Sequence, residues 1–156
     1  LSAVSSANHA CASTALLYAS TLLHARVGYV GSALLYVSTC LGALFVGIPL
    51  IAAVGQRMSL CLAMAAYSAY VGFFALAIAC EAASTGQWLA FLPASCLGGL
   101  GAGVLWVVQG GYLSRSADLT AETSEGGRQS ATARHATIFA VYYLACEVLL
   151  KLATSA

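Results

Sequence analysis

Two charged side chains four residues apart, Glu147 and Lys151, interrupt the apolar final stretch of the chain. Residues at this spacing share one face of a helix, where a carboxylate and an ammonium group can form an ion pair. A charge inside a membrane is costly and usually faces a cavity or a partner, which would suit a proton or ion relay. The alternative, favoured by the nearby C-terminus, is a pair at the membrane edge whose Lys151 ammonium reaches the interface.

The histidines are the candidate ligands for a pigment or a metal. A neutral imidazole nitrogen can bind the magnesium of a chlorophyll or the iron of a haem. His24 and His135 fall at predicted helix ends, where water or lipid headgroups suffice as partners, whereas His9 falls within a predicted helix. His9 is therefore the pigment or metal candidate. The cofactor stays unknown, with bound lipid expected and chlorophyll or carotenoid as the alternative.

A glycine-rich apolar segment, residues 92–114, carries the most informative pattern in the chain. Each glycine costs ~1 kcal/mol relative to alanine in a soluble helix. In a membrane, small residues are useful because they let helix backbones approach closely. Gly99 and Gly103 lie four residues apart on one face, with Gly98 and Ala102 beside them. We therefore expect a tightly packed membrane helix whose packing residues are Gly98, Gly99, Gly101, Ala102, Gly103 and Gly110.

Three larger side chains in the same segment could contact a ligand. Gln109 could bond a substrate, a cofactor or another helix, and bonding between helices is the usual role of such an amide in a membrane. Trp106 and Tyr112 could line a pocket, although Tyr112 lies near the segment's end, where interfacial aromatic residues are common. The residues expected to make polar or ligand contacts are Trp106, Gln109, Tyr112, Glu147 and Lys151.

The composition of the 156-residue chain indicates an integral membrane protein. It is 61% hydrophobic and 7% charged, with a mean hydropathy of +0.89, whereas a soluble domain carries about 25% charged residues. The long continuous apolar runs favour helices over a barrel, whose strands alternate polar and apolar residues. A net charge of +1 offers no basis for binding nucleic acid. The sequence shows no nucleophile–base–acid set or phosphate-binding loop, so we expect no enzyme activity.

The predicted architecture is an all-α, multipass transmembrane bundle of about five helices, forming a single domain over residues 1–156. A membrane-spanning helix needs about 20 apolar residues. Three predicted spans meet that length, and His135–Ala153 is a shorter one. Ala3–Leu23 is diluted by polar residues, so an interfacial helix is its alternative. A polar loop is expected at 114–135. The five segments are Ala3–Leu23, Val27–Val54, Met58–Ala83, Trp88–Leu113 and His135–Ala153.

Arginines are distributed unequally between the predicted connections. One side of the membrane would carry Arg57, Arg115, Arg128 and Arg134, and the other only Arg26. Positive residues collect on the cytoplasmic side or its equivalent in an organelle. We therefore expect the arginine-rich side and the N-terminus to face that compartment.

The order of residues in the glycine-rich segment resembles a known family. The matching features are Pro93–Ser95, the run Leu97–Gly103, Trp106, Gln109–Gly110 and Tyr112–Leu113. They resemble the Unc-ninety-three-like branch of the major facilitator superfamily, which is associated with ion-channel regulation. Two shorter stretches, Gly31–Tyr36 and Val54–Arg57, are also similar to the second helix of that family and the glycine-and-basic turn that follows it.

The resemblance implies the first half of a facilitator fold, for which a transport path would need a partner or a second copy. We expect a non-enzymatic accessory or scaffold subunit that packs with other membrane protein subunits and lipids. A narrower version places it in a photosystem or respiratory assembly, in a thylakoid or mitochondrial inner membrane. A targeting peptide removed before Leu1 would suit such an organelle. The alternative is a half-transporter or ion-channel regulator that dimerises to form a path.

Overall fold

The structure is a computed structural model that describes residues 2–121 and 127–155, with side chains for residues 6–121 and 127–153. Within these ranges there are four helical segments and no strand. They are α1 (Ser2–Leu22), α2 (Ala25–Ala79), α3 (Thr85–Ala121) and α4 (Gly127–Ser155). Three of them are long and apolar enough to cross a membrane, over Ala25–Ala79, Thr85–Ala121 and Gly127–Ala153. The predicted all-helical multipass membrane protein is confirmed.

The expected second and third helices form one segment, α2, because no loop separates them. It joins an α-helix (Ala25–Leu41), a π-helical turn (Gly42–Val46) and a second α-helix (Gly47–Ala79). Within the last of these, Gly55 leaves the helical conformation with φ 81° and ψ 162°. Such a positive φ is tolerated by glycine because it lacks a Cβ atom. We call residues 25–54 limb A and residues 56–79 limb B.

The direction of the chain reverses between the two limbs. Along limb A, Gly31 lies against Phe91 and Gly47 against Val107, so limb A runs parallel to α3. Along limb B the order is opposite, because Gln56 lies against Gly111 and Tyr70 against Gly98. Limb B is therefore antiparallel to α3. The non-helical Gly55 is the point at which α2 folds back.

The core lies where α3 packs against both limbs. Its largest fully buried side chains include Tyr70 of limb B and Phe91 and Leu105 of α3. The rings of Tyr70 and Phe91 are 6.0 Å apart, within the usual range for an aromatic pair. In the most apolar 18-residue window, 61% of α3 is buried, against 6% of α4. The glycine-rich helix is thus the central element, and α4 lies at the periphery.

A buried amide that no sequence pattern predicted joins the connections at one end of the bundle. The Gln87 side chain is 2% exposed. Its Oε1 accepts hydrogen bonds from the backbone N–H groups of His24 (3.3 Å) and Ala83 (3.1 Å), and its Nε2 donates to the carbonyl of Ala77 (3.3 Å). One side chain thus satisfies polar groups of both connections, which would otherwise be costly to bury.

Much of the segment predicted as a polar loop is helical. Helix α3 continues to Ala121 and α4 begins at Gly127, so much of 114–135 is helical, and residues 122–126 lie outside the described part. Helices can extend beyond an apolar span because exposed polar side chains meet water there. Arg128 donates to Asp118 Oδ1 (2.5 Å) and to Ser114 Oγ (3.3 Å), which joins the two helix ends.

Candidate functional site

The first candidate site is the glycine interface, where α3 meets limb A. A Cβ atom added to Gly99 would collide with the carbonyl oxygen of Leu35, and one added to Gly103 would collide with that of Thr39. Because the colliding atoms are backbone, no side-chain rotation can relieve the overlap. The two glycines, one helical turn apart, therefore allow the backbones of α3 and limb A to touch.

Other small residues of α3 face limb B. A Cβ atom at Gly98 would lie 2.8 Å from Tyr70 Cβ, and one at Gly101 would lie 2.8 Å from Ala66 Cβ. Ala102 is also buried, at 2% exposure. Gly110 differs, because it is exposed and open space surrounds its Cα. It belongs to the same sequence pattern but lies on the side of α3 that no described helix covers.

The second candidate site is a polar cluster between α1 and α4. Glu147 lies at its centre and is 8% exposed. Ser13 Oγ donates a hydrogen bond of 2.7 Å to Glu147 Oε1, and the Lys151 ammonium lies 2.5 Å from Oε2. Both carboxylate oxygens thus have a charged or polar partner. The polar cluster comprises His9, Ser13, Tyr67, Trp106, Tyr143, Glu147 and Lys151.

His9 connects this ion pair to the interior of the bundle. Its Nδ1 shares a hydrogen bond of 3.2 Å with the Tyr67 hydroxyl of limb B, and its Nε2 lies 4.0 Å from Glu147 Oε1. The ring centres of Trp106 and Tyr143 are 5.5 and 5.2 Å from that of His9. The cluster therefore brings together α1, limb B, α3 and α4.

The surroundings of His9 bear directly on its expected role as a ligand. One ring nitrogen bonds Tyr67 and the other faces Glu147, so an axial bond to a pigment would require one of these contacts to open. No group of three or more histidine, cysteine or acidic residues that could hold a metal occurs among the described residues. Pigment binding at His9 stays a prediction.

The remaining predicted contact residues are dispersed along α3. Trp106 is 43% exposed and joins the polar cluster through its ring. Gln109 is half-buried, and its side chain makes no hydrogen bond to the described residues. Tyr112 packs against the core near the Gly55 break. The structure therefore joins Trp106 to Glu147 and Lys151, but not Gln109 or Tyr112.

Three members of the polar cluster, Ser13, Tyr67 and Tyr143, are not among the predicted contacts. A signal for two of them lay in helical spacing. Ser13 follows His9 by four residues, and Tyr143 precedes Glu147 by four, so each shares a helix face with a predicted site residue. Tyr67 comes from a different helix, and only tertiary packing brings its hydroxyl to His9.

These features describe a multipass helical membrane protein with a glycine-packed central helix and a polar cluster at its side. The comparison with protein families is specific: residues 19–146 match the model described as ion channel regulatory protein UNC-93. Since this covers more than half of the chain, the protein belongs to the UNC-93 family, which confirms the resemblance at the family level. No curated protein and no solved structure matches the chain.

The residues that match the family model include all of one candidate site and only part of the other. The glycine interface lies entirely within residues 19–146. In the polar cluster, His9 and Ser13 precede that range, and Glu147 and Lys151 follow it. The family match therefore includes the whole central helix, whereas the polar cluster lies partly outside it.

Proposed function

We propose that this chain is a non-enzymatic regulatory subunit that docks against a membrane ion channel through the uncovered side of α4. The family match supports a regulatory membrane role. The single structural observation that carries the docking surface is the exposure of α4, since only 6% of its apolar window is buried. Its uncovered large side chains include Val141, Leu144, Val148, Leu149 and Leu152.

The polar cluster supports this proposal because it determines which side of α4 faces outward. Glu147 is held by Ser13 of α1, and Tyr143 packs against His9 and Trp106. These contacts direct one side of α4 toward the bundle. The opposite side, with Leu149 and Leu152, is then presented at a constant orientation. A helix held in this way suits a partner better than a helix free to rotate.

Cross-linking in the native membrane tests the docking surface. A photo-reactive residue at Leu149 or Leu152 should give a discrete product with one channel protein. The matched control is Leu44, which is 70% exposed on limb A and should give lipid adducts alone. Removal of this chain should change the current carried by the captured channel. Equal products from both positions, or a captured protein that is not a channel, would contradict the proposal.

A second candidate function, a half-transporter that dimerises to form a path, is favoured by the polar cluster itself. Intramembrane carboxylates and histidines commonly mark ion pathways, and Glu147 and His9 lie 4.0 Å apart. Flux through vesicles containing the purified chain would support this function, provided that Glu147→Gln abolishes it. We expect no flux, because both carboxylate oxygens are already engaged by Ser13 and Lys151.

We also propose that the chain crosses the membrane five times, in the manner of the first half of a facilitator. The reversal at Gly55 supports this, since limbs A and B run in opposite directions. Cysteine labelling from each side can test it, because residues flanking Gly55 and those near Gln87 should react from opposite sides. Membership of a photosystem, a respiratory assembly or a particular organelle stays a prediction.

A further inference from the structure

A groove opens where α2 folds back, beside the C-terminal part of α3. Its volume is about 710 Å³. One wall is apolar and partly exposed, with Ile51, Val54 and Met58. The rim carries the guanidinium groups of Arg57 and Arg115, and both side chains are exposed. The groove thus combines a lipid-like wall with a cationic rim.

Within the part of the chain that the structure describes, the two arginines of the groove have no acidic partner. Among the described residues, neither Arg57 nor Arg115 forms an ion pair or a side-chain hydrogen bond. At the same end of the bundle, Arg128 is neutralised by Asp118. An arginine presents its donors in a planar fork that matches phosphate oxygens. The rim therefore carries positive charge that no described acidic residue neutralises, and its donor geometry suits a phosphate group.

The groove lies at the level expected for lipid headgroups. Arg57 and Arg115 come at the ends of apolar spans, where positive residues meet the cytoplasmic leaflet and its anionic lipids. Tyr112, an aromatic residue typical of the interface, lines the groove between rim and wall. A free phosphate would use the rim alone, whereas an amphiphile would use the rim and the apolar wall.

We propose that this groove binds an anionic phospholipid, with its phosphate held by Arg57 and Arg115 and an acyl chain against Ile51, Val54 and Met58. The proposal does not depend on channel regulation, because the groove lies apart from the exposed side of α4. Bound lipid would fill the space beside the Gly55 break and restrain the angle between limbs A and B.

Native mass spectrometry of the purified full chain can test the site. The chain is released from nanodiscs of phosphatidylcholine containing a minor fraction of phosphatidylglycerol, and the retained lipid is counted. We expect phosphatidylglycerol to be retained selectively, and the Arg57→Gln/Arg115→Gln variant to lose more than about tenfold of that selectivity. Arg134→Gln, which removes an exposed arginine outside the groove, should retain it.

Two further measurements decide the outcome. Inorganic phosphate at millimolar concentration should not displace the lipid from the unaltered chain; displacement would identify free phosphate as the ligand and overturn the proposal. Equal loss in Arg134→Gln would indicate a general effect of charge and would also overturn it. If the double variant fails to fold, the lipid preference of the unaltered chain still tests the site, since equal retention of both lipids contradicts selective binding.

Discussion

Between limb A and α3 the backbones touch, and Gly99 and Gly103 leave no room for a Cβ atom. Between α1 and α4 the contact is made instead by side chains, from Ser13 to Glu147 and from His9 to Tyr143. The first interface depends on the absence of side-chain atoms at two glycines, and the second depends on contacts between side chains. Both solve the same problem, since apolar side chains alone do not favour helix contact over lipid contact in a membrane.

The difference teaches how each interface should respond to change. A backbone contact is sensitive to any added atom, because a main chain can move only if the whole helix moves. A side-chain contact can adjust, because rotamers change and lipid or water can replace a lost partner. Substitutions at the glycine interface should therefore cost more than those in the polar cluster, and exposed ion pairs should cost least.

The largest effect should come from filling the glycine interface. Gly99→Leu or Gly103→Leu would force limb A away from α3, and we expect a loss of about 3 kcal/mol or more in the free energy of unfolding. Unfolding in mixed detergent micelles, followed by helical circular dichroism, measures it. Gly110→Leu is the matched control on the same helix, because open space surrounds Gly110. An equal loss in the control would refute the backbone-contact explanation.

The next largest effect should come from Glu147→Gln in the polar cluster. It removes the charge that faces Lys151 and weakens the bond from Ser13, and we expect a loss of about 1.5 kcal/mol in the free energy of unfolding. Adding Lys151→Met should restore part of the lost stability. The ammonium group that would otherwise remain without the Glu147 carboxylate is then removed as well. Glu81→Gln, at an exposed position, serves as the control. No recovery in the double variant would argue against the ion pair.

A smaller effect is expected at the hydroxyl that bonds His9. Tyr67→Phe removes one hydrogen bond, and we expect a loss of about 0.6 kcal/mol. Tyr70→Phe is the control, because the buried Tyr70 hydroxyl has no hydrogen-bond partner among the described residues. Losing an unsatisfied polar group should leave stability unchanged or raise it. If both variants behave alike in micelle unfolding, the Tyr67–His9 bond contributes nothing.

The smallest effect should come from Arg128→Gln. Its partner is Asp118, and both side chains are more than half exposed. Such pairs contribute below about 1 kcal/mol and weaken further in salt. The expected difference from Arg134→Gln is small at low ionic strength and absent at high ionic strength. A large difference that persists in salt would show that the Arg128–Asp118 pair contributes more to stability than an exposed ion pair should.

Much of the fold could be predicted from the sequence, since long apolar runs can be satisfied only as membrane helices. The point at which the chain reverses could also be predicted, because Gly55 and Arg57 follow an apolar run. The boundaries near 114–135 were less accurate, because polar residues continue a helix once it leaves the apolar region. Gln87 was missed, since its role depends on three backbone groups that only folding brings together.

The sequence by itself determined that this protein lies in a membrane, that it is helical, and to which family it belongs. Composition and ordered local motifs are properties of the chain alone. Spacing also indicated that Gly99 and Gly103 would share a face. Only the tertiary structure decided which backbone they touch and why Gly110 does not join them, and only it brought Ser13 and Tyr67 to Glu147 and His9. Those outcomes depend on contacts between helices distant in the chain, whose relative rotation local periodicity does not specify.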